Sequence, residues 1–435
     1  MTYCHPITGS SERALTALAP FAVAGRRRIV AIVKVREIRK LVRMRTIDLD
    51  ATSRRLAACH DVGDLRRAAR RLIPSPVFDY VDGAADEELA AAANVAAFRH
   101  YRFLPRVLAD VSAVDTATTI FGARLPVPFA LAPTGYTRML HTDGEAGAAR
   151  SAARHGLPYT LSTMATTGIE ELAGVVSGLP SPGLWFQLYV LKDRAQVADL
   201  LERAWACGFR VLVVTVDTAV AGNRIRDKRS GLSLPPELSL QTVLQVASRP
   251  GYWYRLLSSP ALDYANFAGR PRTTIMQTAS FFDPSLDWDA IARLRAAWKG
   301  MLVIKGPLGP ADAAHAVEAG CDGLQLSNHG GRQLDRTIAP VDLIEPVREA
   351  VGGAVTLLVD SGIRHGADAV VALALGADVA VLGRAYVYGL MAGGEAGVDR
   401  ALDILAAQFT ATMQLLGVTS VEQLRKCGRE LITRQ

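Results

Sequence analysis

Val211-Leu212-Val213-Val214-Thr215-Val216-Asp217 runs through apolar and β-branched residues and stops on a carboxylate. Nothing polar interrupts its first four positions, so a strand here is covered on both faces, as strands of parallel sheets are. The stretch before it has helical spacing. Asp193 is the expected N-cap, Val197, Leu200, Leu201 and Ala204 form one apolar stripe, and Gly208 ends the helix. Helix, turn, buried strand and polar terminus make a unit, and the unit repeats.

Seven other runs share this plan: Val127–Ala132, Tyr159–Ser162, Leu184–Tyr189, Leu302–Lys305, Gly323–Ser327, Leu357–Asp360 and Val379–Gly383. Each gives way to polar or glycine residues and then to an alanine-rich helical stretch. Eight such strands predict an α/β protein with a parallel (β/α)8 TIM barrel. Ahead of the barrel lies a helical extension with patterns at Val62–Arg71 and Asp86–Phe98, separated by Pro74-Ser75-Pro76. The rhythm breaks once, after the fourth strand. Between Thr218 and Asp287 the chain holds Pro235-Pro236 and the cluster Tyr252-Trp253-Tyr254, so a lid or insert is expected at about 229–286. Lid packing is the favoured role of the aromatic cluster, with membrane or quinone contact as the sharper alternative.

Bulk properties narrow the field. Of 435 residues, half are hydrophobic and 21% charged, as in a globular protein with a large core. The net charge of +7 is concentrated between Arg26 and Arg45, where nine Lys/Arg face Glu37 alone. The remainder is near neutral, which disfavours nucleic acid as a partner. Residues 1–45 are expected to be a basic, flexible extension, and 46–435 a single barrel domain. The extension reads either as a solvated arm, the favoured reading, or as an amphipathic helix on an anionic membrane surface. Cysteines 4, 59, 207, 321 and 427 form no C-x-x-C pair, which argues for a reducing compartment and against structural zinc. No metal site is expected. No apolar run is long enough to span a bilayer, and Ala14–Ala24 precedes its basic segment, the wrong order for a secretory signal. A cytoplasmic location is expected, with peripheral contact at the inner face of the cell membrane as an extension of it.

Active sites of such barrels form where the strands finish. Those positions hold Pro133-Thr134-Gly135, Ser162, Gln187 with Tyr189, Thr215 with Asp217, Lys305, Ser327 to Arg332, Asp360-Ser361-Gly362 and Gly383-Arg384. The last two strand ends, with Arg364, suit a phosphate held by backbone N–H groups and arginine. Ser162, Gln187 and Thr215 can bond the edge of a planar heterocycle, and Lys305 can sit beside a ring position that becomes negative on reduction. Together they point to FMN. His329, Asp217, Tyr189, Arg332 and Arg224 are left for a small organic acid. Two arginines fix a carboxylate, Tyr189 bonds a hydroxyl, and His329 takes the hydroxyl proton. Asp217 orients the imidazole and is expected to raise its basicity. The other histidines (5, 60, 100, 141, 155, 315, 365) read as surface or helix-cap residues, and Asp335 as a loop anchor.

The motif Ser327-Asn328-His329-Gly330-Gly331-Arg332-Gln333-Leu334-Asp335 resembles the signature of the FMN-dependent α-hydroxy-acid oxidases and dehydrogenases. Phe78-Asp79-Tyr80, Ala132-Pro133-Thr134-Gly135, Gln187-Leu188-Tyr189, Thr215-Val216-Asp217-Thr218 and Val303-Ile304-Lys305-Gly306 are similar to that family in the same order, across roughly residues 60 to 425. The bacterial quinone-linked L-lactate dehydrogenases are the nearest in flavour, through Gly394-Glu395-Ala396-Gly397 and the tryptophan-bearing insert. The resemblance implies that Tyr80, Arg224 and Arg332 bind a substrate carboxylate and that Tyr189 contacts the hydroxyl. It makes His329 the base and Asp217 its partner. Pro133, Thr134, Gly135, Ser162, Gln187, Thr215, Lys305, Ser327, Asp360, Ser361, Gly362, Arg364, Gly383 and Arg384 become the FMN contacts. It further implies oxidation of L-lactate to pyruvate, a quinone or electron-transfer protein as acceptor, and a homo-oligomer, a tetramer. Ala84 and Met164 depart from the family pattern, the first affecting a loop after Tyr80 and the second the substrate pocket. The rivals are a hydroxy-acid oxidase that makes hydrogen peroxide from dioxygen, an FMN-dependent isomerase or phosphate-ester lyase on the same barrel, and a flavin-binding module without turnover.

Overall fold

In a computed structural model, residues 49–230, 248–267 and 282–435 are described. The expectations for residues 1–45, for Pro235-Pro236 and for parts of the insert fall outside them. Eight parallel strands close into a barrel: β1 (Phe129–Leu131), β2 (Tyr159–Ser162), β3 (Leu184–Tyr189), β4 (Val211–Thr215), β5 (Met301–Gly306), β6 (Gly323–Leu326), β7 (Thr356–Val359) and β8 (Val379–Leu382). Each pairs with its sequence neighbours, and β8 pairs with β1.

Strand side chains alternate between two cores. Ala130, Trp185, Val213, Val303, Leu358 and Val381 fill the barrel interior, while Leu131, Leu161, Phe186, Leu212, Ile304 and Leu357 pack outward against the helices. A hairpin, Thr118–Ile120 with Ala123–Leu125, places Ile120 and Leu125 in the interior core, and its turn residue Phe121 meets Trp185 edge-on at 5.7 Å. Trp185 and Gly323, which Phe121 also approaches, start their strands, so the hairpin stops the barrel at its N-terminal end. The C-terminal end is left for a site.

Among the described residues four helices precede the barrel: the short Ala51–Ala57, then α1 (Val62–Leu72), α2 (Ser75–Asp82) and α3 (Leu89–Phe98). Two differ from the sequence reading. Pro74-Ser75-Pro76 lies between the two expected helices but also begins another, because a proline in the first turn has no N–H to lose and its φ is already helical. The pattern from Asp86 starts only at Leu89, since Asp86 and Glu88 have left-handed backbone angles of φ 45° and 64°. Farther on, α4 (Gly144–Arg154) follows β1, and α5 (Arg194–Ala206) has the expected cap, with Asp193 accepting from the Gln196 N–H and all four stripe residues buried. Helix α6 (Ile225–Ser230) leaves the fourth strand end, and α7 (Pro250–Leu257) lies within the insert. The long α8 (Arg384–Leu416) is broken at Gly393 and Gly394. Among the described residues no helix is long and apolar enough to cross a membrane.

Candidate active site

The C-terminal strand ends surround one cavity of about 930 Å³. Every FMN-contact and carboxylate-binding residue expected from sequence lines it, as do Tyr189 and His329; Asp217 stands behind the imidazole. Register explains the flat polar surface on one side. Ser162 pairs with Gln187, and Thr215 lies between Tyr189 and Lys305 on neighbouring strands. Ser162 donates to Gln187 Oε1 at 3.1 Å, and Gln187 Nε2 donates to Thr215 at 2.9 Å. Asp360, buried beyond β7, accepts from Gln325, Ser327 and Ser361 and so ties the sixth and seventh strand ends.

His329 sits three residues past β6 in a left-handed conformation, φ 58°, held by a hydrogen bond from its N–H to Ser327 Oγ. Its Nδ1 lies 3.1 and 3.2 Å from the two Asp217 oxygens, and its Nε2 is 3.3 Å from Tyr189 OH. With Nδ1–H given to the carboxylate, Nε2 faces the cavity with a lone pair. Asn328 clasps Asn94 of α3 through two reciprocal bonds, at 2.7 and 2.8 Å. Gly331 follows because no side chain fits: a Cβ there would lie 2.6 Å from the Ala91 nitrogen, and φ is +79°.

Asp217 raises the basicity of the imidazole, as expected, but two other effects outweigh it. Burial and the Lys305 ammonium depress the His329 pKa below its ordinary value, and the pull of Asp217 does not compensate. Asp217 itself is pushed up by burial but ends low because His329 and Lys305 are close. The imidazole is therefore held neutral, ready to accept a proton.

Besides the exposed Lys228, four cations line the cavity with no salt bridge to an acid among the described residues: Lys305, Arg332, Arg364 and Arg384. Lys305 is only 4% exposed, and no hydrogen bond from the described residues holds its ammonium. Burial depresses Arg364, whose recorded side-chain bond goes to the Ile363 carbonyl. Burying unpaired cations is expensive, so the arrangement is made for anions. A phosphate between Arg364, Arg384 and the Gly362 and Gly383 backbones, with a flavin ring over Ser162, Gln187, Thr215 and Lys305, satisfies the donor set; the residues fit FMN.

The second anion site lies around Tyr80. Arg332 is 4.9 Å and Arg224 5.9 Å from its ring centre. Burial and the like charge of Arg224 lower the Arg332 pKa to about 10. Arg332 donates to the carbonyls of Tyr80 and Gly83, and Arg384 to those of Val81, Gly83 and Gly330. Apart from that of Gly330, these carbonyls lie at the end of α2, where the helix dipole also favours cations. The helix that sequence missed thus aims two of the cavity's arginines.

Sequence reading also missed Tyr136, Tyr264 and Phe282, which with Met164 give the cavity its apolar lining. Buried Glu145 joins the loops after β1 and β2 by accepting from the Thr137 and Thr166 N–H groups and the Thr166 and Thr167 hydroxyls. The GE pair at Gly144-Glu145 carried no periodic signal. Asp335 is a loop anchor, accepting from the Glu87, Ala90 and Arg336 N–H groups. His365 caps a helix, whereas His141 is mostly enclosed, 3.5 Å from Asp143.

Comparison with known proteins agrees with this geometry. Residues 69–432 match the family model described as FMN-dependent dehydrogenase. A putative L-lactate dehydrogenase of Mycobacterium tuberculosis is 45% identical, covering 90% of this chain and 94% of its own length. The L-lactate dehydrogenase of Caulobacter vibrioides is 43% identical, covering 83% and 95%. Among solved structures, the monotopic membrane protein (S)-mandelate dehydrogenase superposes with a TM-score of 0.81 at 34% identity, covering 87% of this chain and 100% of that one. Mandelate oxidase gives 0.74 at 34%, covering 87% and 99%.

Proposed function

The chain belongs to the FMN-dependent dehydrogenase family, an FMN enzyme of the 2-hydroxy-acid dehydrogenase and oxidase group, and from that premise we propose that it oxidises L-lactate to pyruvate. The observation that carries the reading is the meeting of a neutral, carboxylate-backed imidazole with two arginines and two tyrosines in one cavity. Arg224, Arg332 and Tyr80 hold the substrate carboxylate. Tyr189 bonds the hydroxyl and keeps it against His329 Nε2, which removes its proton. Asp217 then stabilises the imidazolium across Nδ1. Bound FMN supplies the two-electron acceptor for the pair leaving the α-carbon. Tyr264 and Phe282, contributed by the insert, add apolar surface to the cavity lining.

For the acceptor we favour a quinone or an electron-transfer protein over dioxygen. Gly135 and the aromatic insert support this reading through their resemblance to the quinone-linked L-lactate dehydrogenases. Peripheral attachment at the inner face of the cell membrane and assembly as a homotetramer belong to the same proposal. The mandelate-named neighbours and the lining of Tyr136, Met164, Tyr264 and Phe282 favour a second reading, a bulkier 2-hydroxy acid as the preferred substrate.

Anaerobic mixing of the holoenzyme with a panel of L-2-hydroxy acids tests both. Fastest bleaching of the flavin absorbance by L-lactate supports the proposal, and fastest bleaching by L-mandelate selects the alternative. An isomerase would show no net bleaching with any of them. Rapid peroxide formation under air, with no turnover of quinone analogues, would sink the acceptor assignment.

A further inference from the structure

Helix α6 carries Arg224 at its leading edge, yet none of its six residues is buried. Apolar packing is therefore a weak hold on it, limited to half-buried residues such as Ile225. Its attachment is ionic and runs through Arg226. One nitrogen of that guanidinium donates to Asp82 at 3.0 Å and lies 3.8 Å from Asp79, while the other pairs with Glu88. Asp79 and Asp82 flank Tyr80 on α2, and Glu88 stands just before α3. Neighbouring residues add links: Asn223 donates to the Asp86 carboxylate and accepts from the Asp86 N–H, and the Gly222 N–H donates to Gln333.

Asp82 is a fixed post. Its side chain is 7% exposed and also accepts from Arg66 of α1, at 2.6 and 2.8 Å, and from Tyr388 of α8, at 2.7 Å. Burial opposes its charge, but Arg66, Tyr388 and Arg226 together keep it ionised well below the ordinary carboxylate range. One guanidinium thus joins the arm bearing Arg224 to the helix bearing Tyr80. Arg332, by contrast, is held by hydrogen bonds to the α2 carbonyls, with the Asp227 carboxylate of α6 as a charge near it.

We propose that Arg226 is a positioning residue for the substrate-carboxylate clamp: by bridging Asp82, Asp79 and Glu88 it pins the Arg224 arm against the Tyr80 helix. This rests on the reading that Arg224, Arg332 and Tyr80 hold a carboxylate. Without the bridge, Arg224 keeps Asp227, 3.7 Å away on its own helix, as its ionic partner and loses its fixed distance from Tyr80. The defect is confined to anion binding, because the contacts that hold His329, Arg364 and Arg384 do not involve Arg226.

The experiment compares Arg226→Met with Arg66→Met, since each removes one cation from the same carboxylate, the first on the α6 side and the second on the α1 side. FMN-loaded protein is titrated with oxalate, a dicarboxylate with no α-hydrogen to lose, and followed by flavin absorbance. Steady-state constants for L-lactate and the FMN Kd are measured alongside. Arg226→Met is expected to weaken oxalate binding and raise KM at least tenfold, with the FMN Kd within twofold of the parent. Arg66→Met should leave the oxalate Kd and KM within threefold, even where its Tm falls as far. Arg226→Lys, which keeps the charge but spans fewer of the three acids, should fall between and serves if the methionine variant does not fold. Equal shifts in oxalate Kd for Arg226→Met and Arg66→Met, or no shift in the first, would overturn the pinning role alone. Failure of the parent holoenzyme to bind either oxalate or lactate would overturn the carboxylate reading itself, and this proposal with it.

Discussion

On one side of the cavity Ser162, Gln187, Thr215 and Lys305 stand on adjacent strands, in register, each buried by the same closure that makes the barrel. On the other side Tyr80 comes from a helix before the barrel and Arg224 from the root of an insert, so their meeting depends on polar bridges between segments far apart in sequence. The flavin side is a by-product of topology. The substrate side is assembled by additions to it, which is where one barrel can acquire different selectivities. Rigidity differs accordingly: hydrogen-bonded strands fix the first side, and an ion network with partly exposed members fixes the second.

The largest expected effect separates chemistry from cofactor binding across that divide. His329→Ala removes the proton acceptor but none of the strand-end donors. Flavin reduction by L-lactate under anaerobic stopped flow should slow on the order of 10³-fold, while FMN content stays at the parental level. Loss of FMN together with activity would mean that the two sides are one structural unit after all.

A paired change sharpens the electrostatic link between the sides. The neutral imidazole is the active form, so kcat/KM rises as pH climbs through the His329 pKa, which burial and Lys305 place below 6.5. Asp217→Asn removes the anion that favours imidazolium, so the acid limb moves to lower pH and the plateau drops, by about tenfold or more. Lys305→Met removes a cation and moves the limb the other way, upward, while also weakening FMN binding. Arg332, a further cation facing the imidazole, stays in both variants. Limbs that shift in the same direction in the two variants would show that the charges around Nδ1 and Nε2 do not set this titration.

How much of this was legible beforehand follows from the same contrast. The strands could be read because a strand buried on both faces is an uninterrupted apolar run with a polar end, and β2 and β3 have the very bounds that their composition marks. Reading the polar ends then brought Ser162, Gln187, Thr215, Lys305 and His329 together without knowledge of any contact. Helix α2 was hidden because Pro74 and Pro76 carry the same letters whether they break a helix or open one. Arg226, Asp82 and Tyr388 gave no signal at all: their bonds span 144 and 306 positions, and no periodicity connects them. The sign of the His329 shift was hidden for a related reason. Asp217 is visible as a neighbour in the motif pattern, but burial and the nearness of Lys305 are properties of the folded cavity.

The smallest expected effect tests the barrel itself, away from both sides. Asp193→Ala on α5 removes the carboxylate that accepts from the Gln196 N–H and leaves a helix donor without a side-chain partner. An N-cap of this kind contributes about 1 kcal/mol, and in a domain this large that lowers Tm by about 2 °C. The helix keeps its buried Leu200 and Leu201, so it remains docked against the barrel and no strand end moves. Calorimetry should therefore record the small loss while KM, the FMN Kd and the pH profile stay at parental values. A change in any of those three would mean that strain in the outer helices reaches the strand ends, and that the flavin side is less insulated than its register implies.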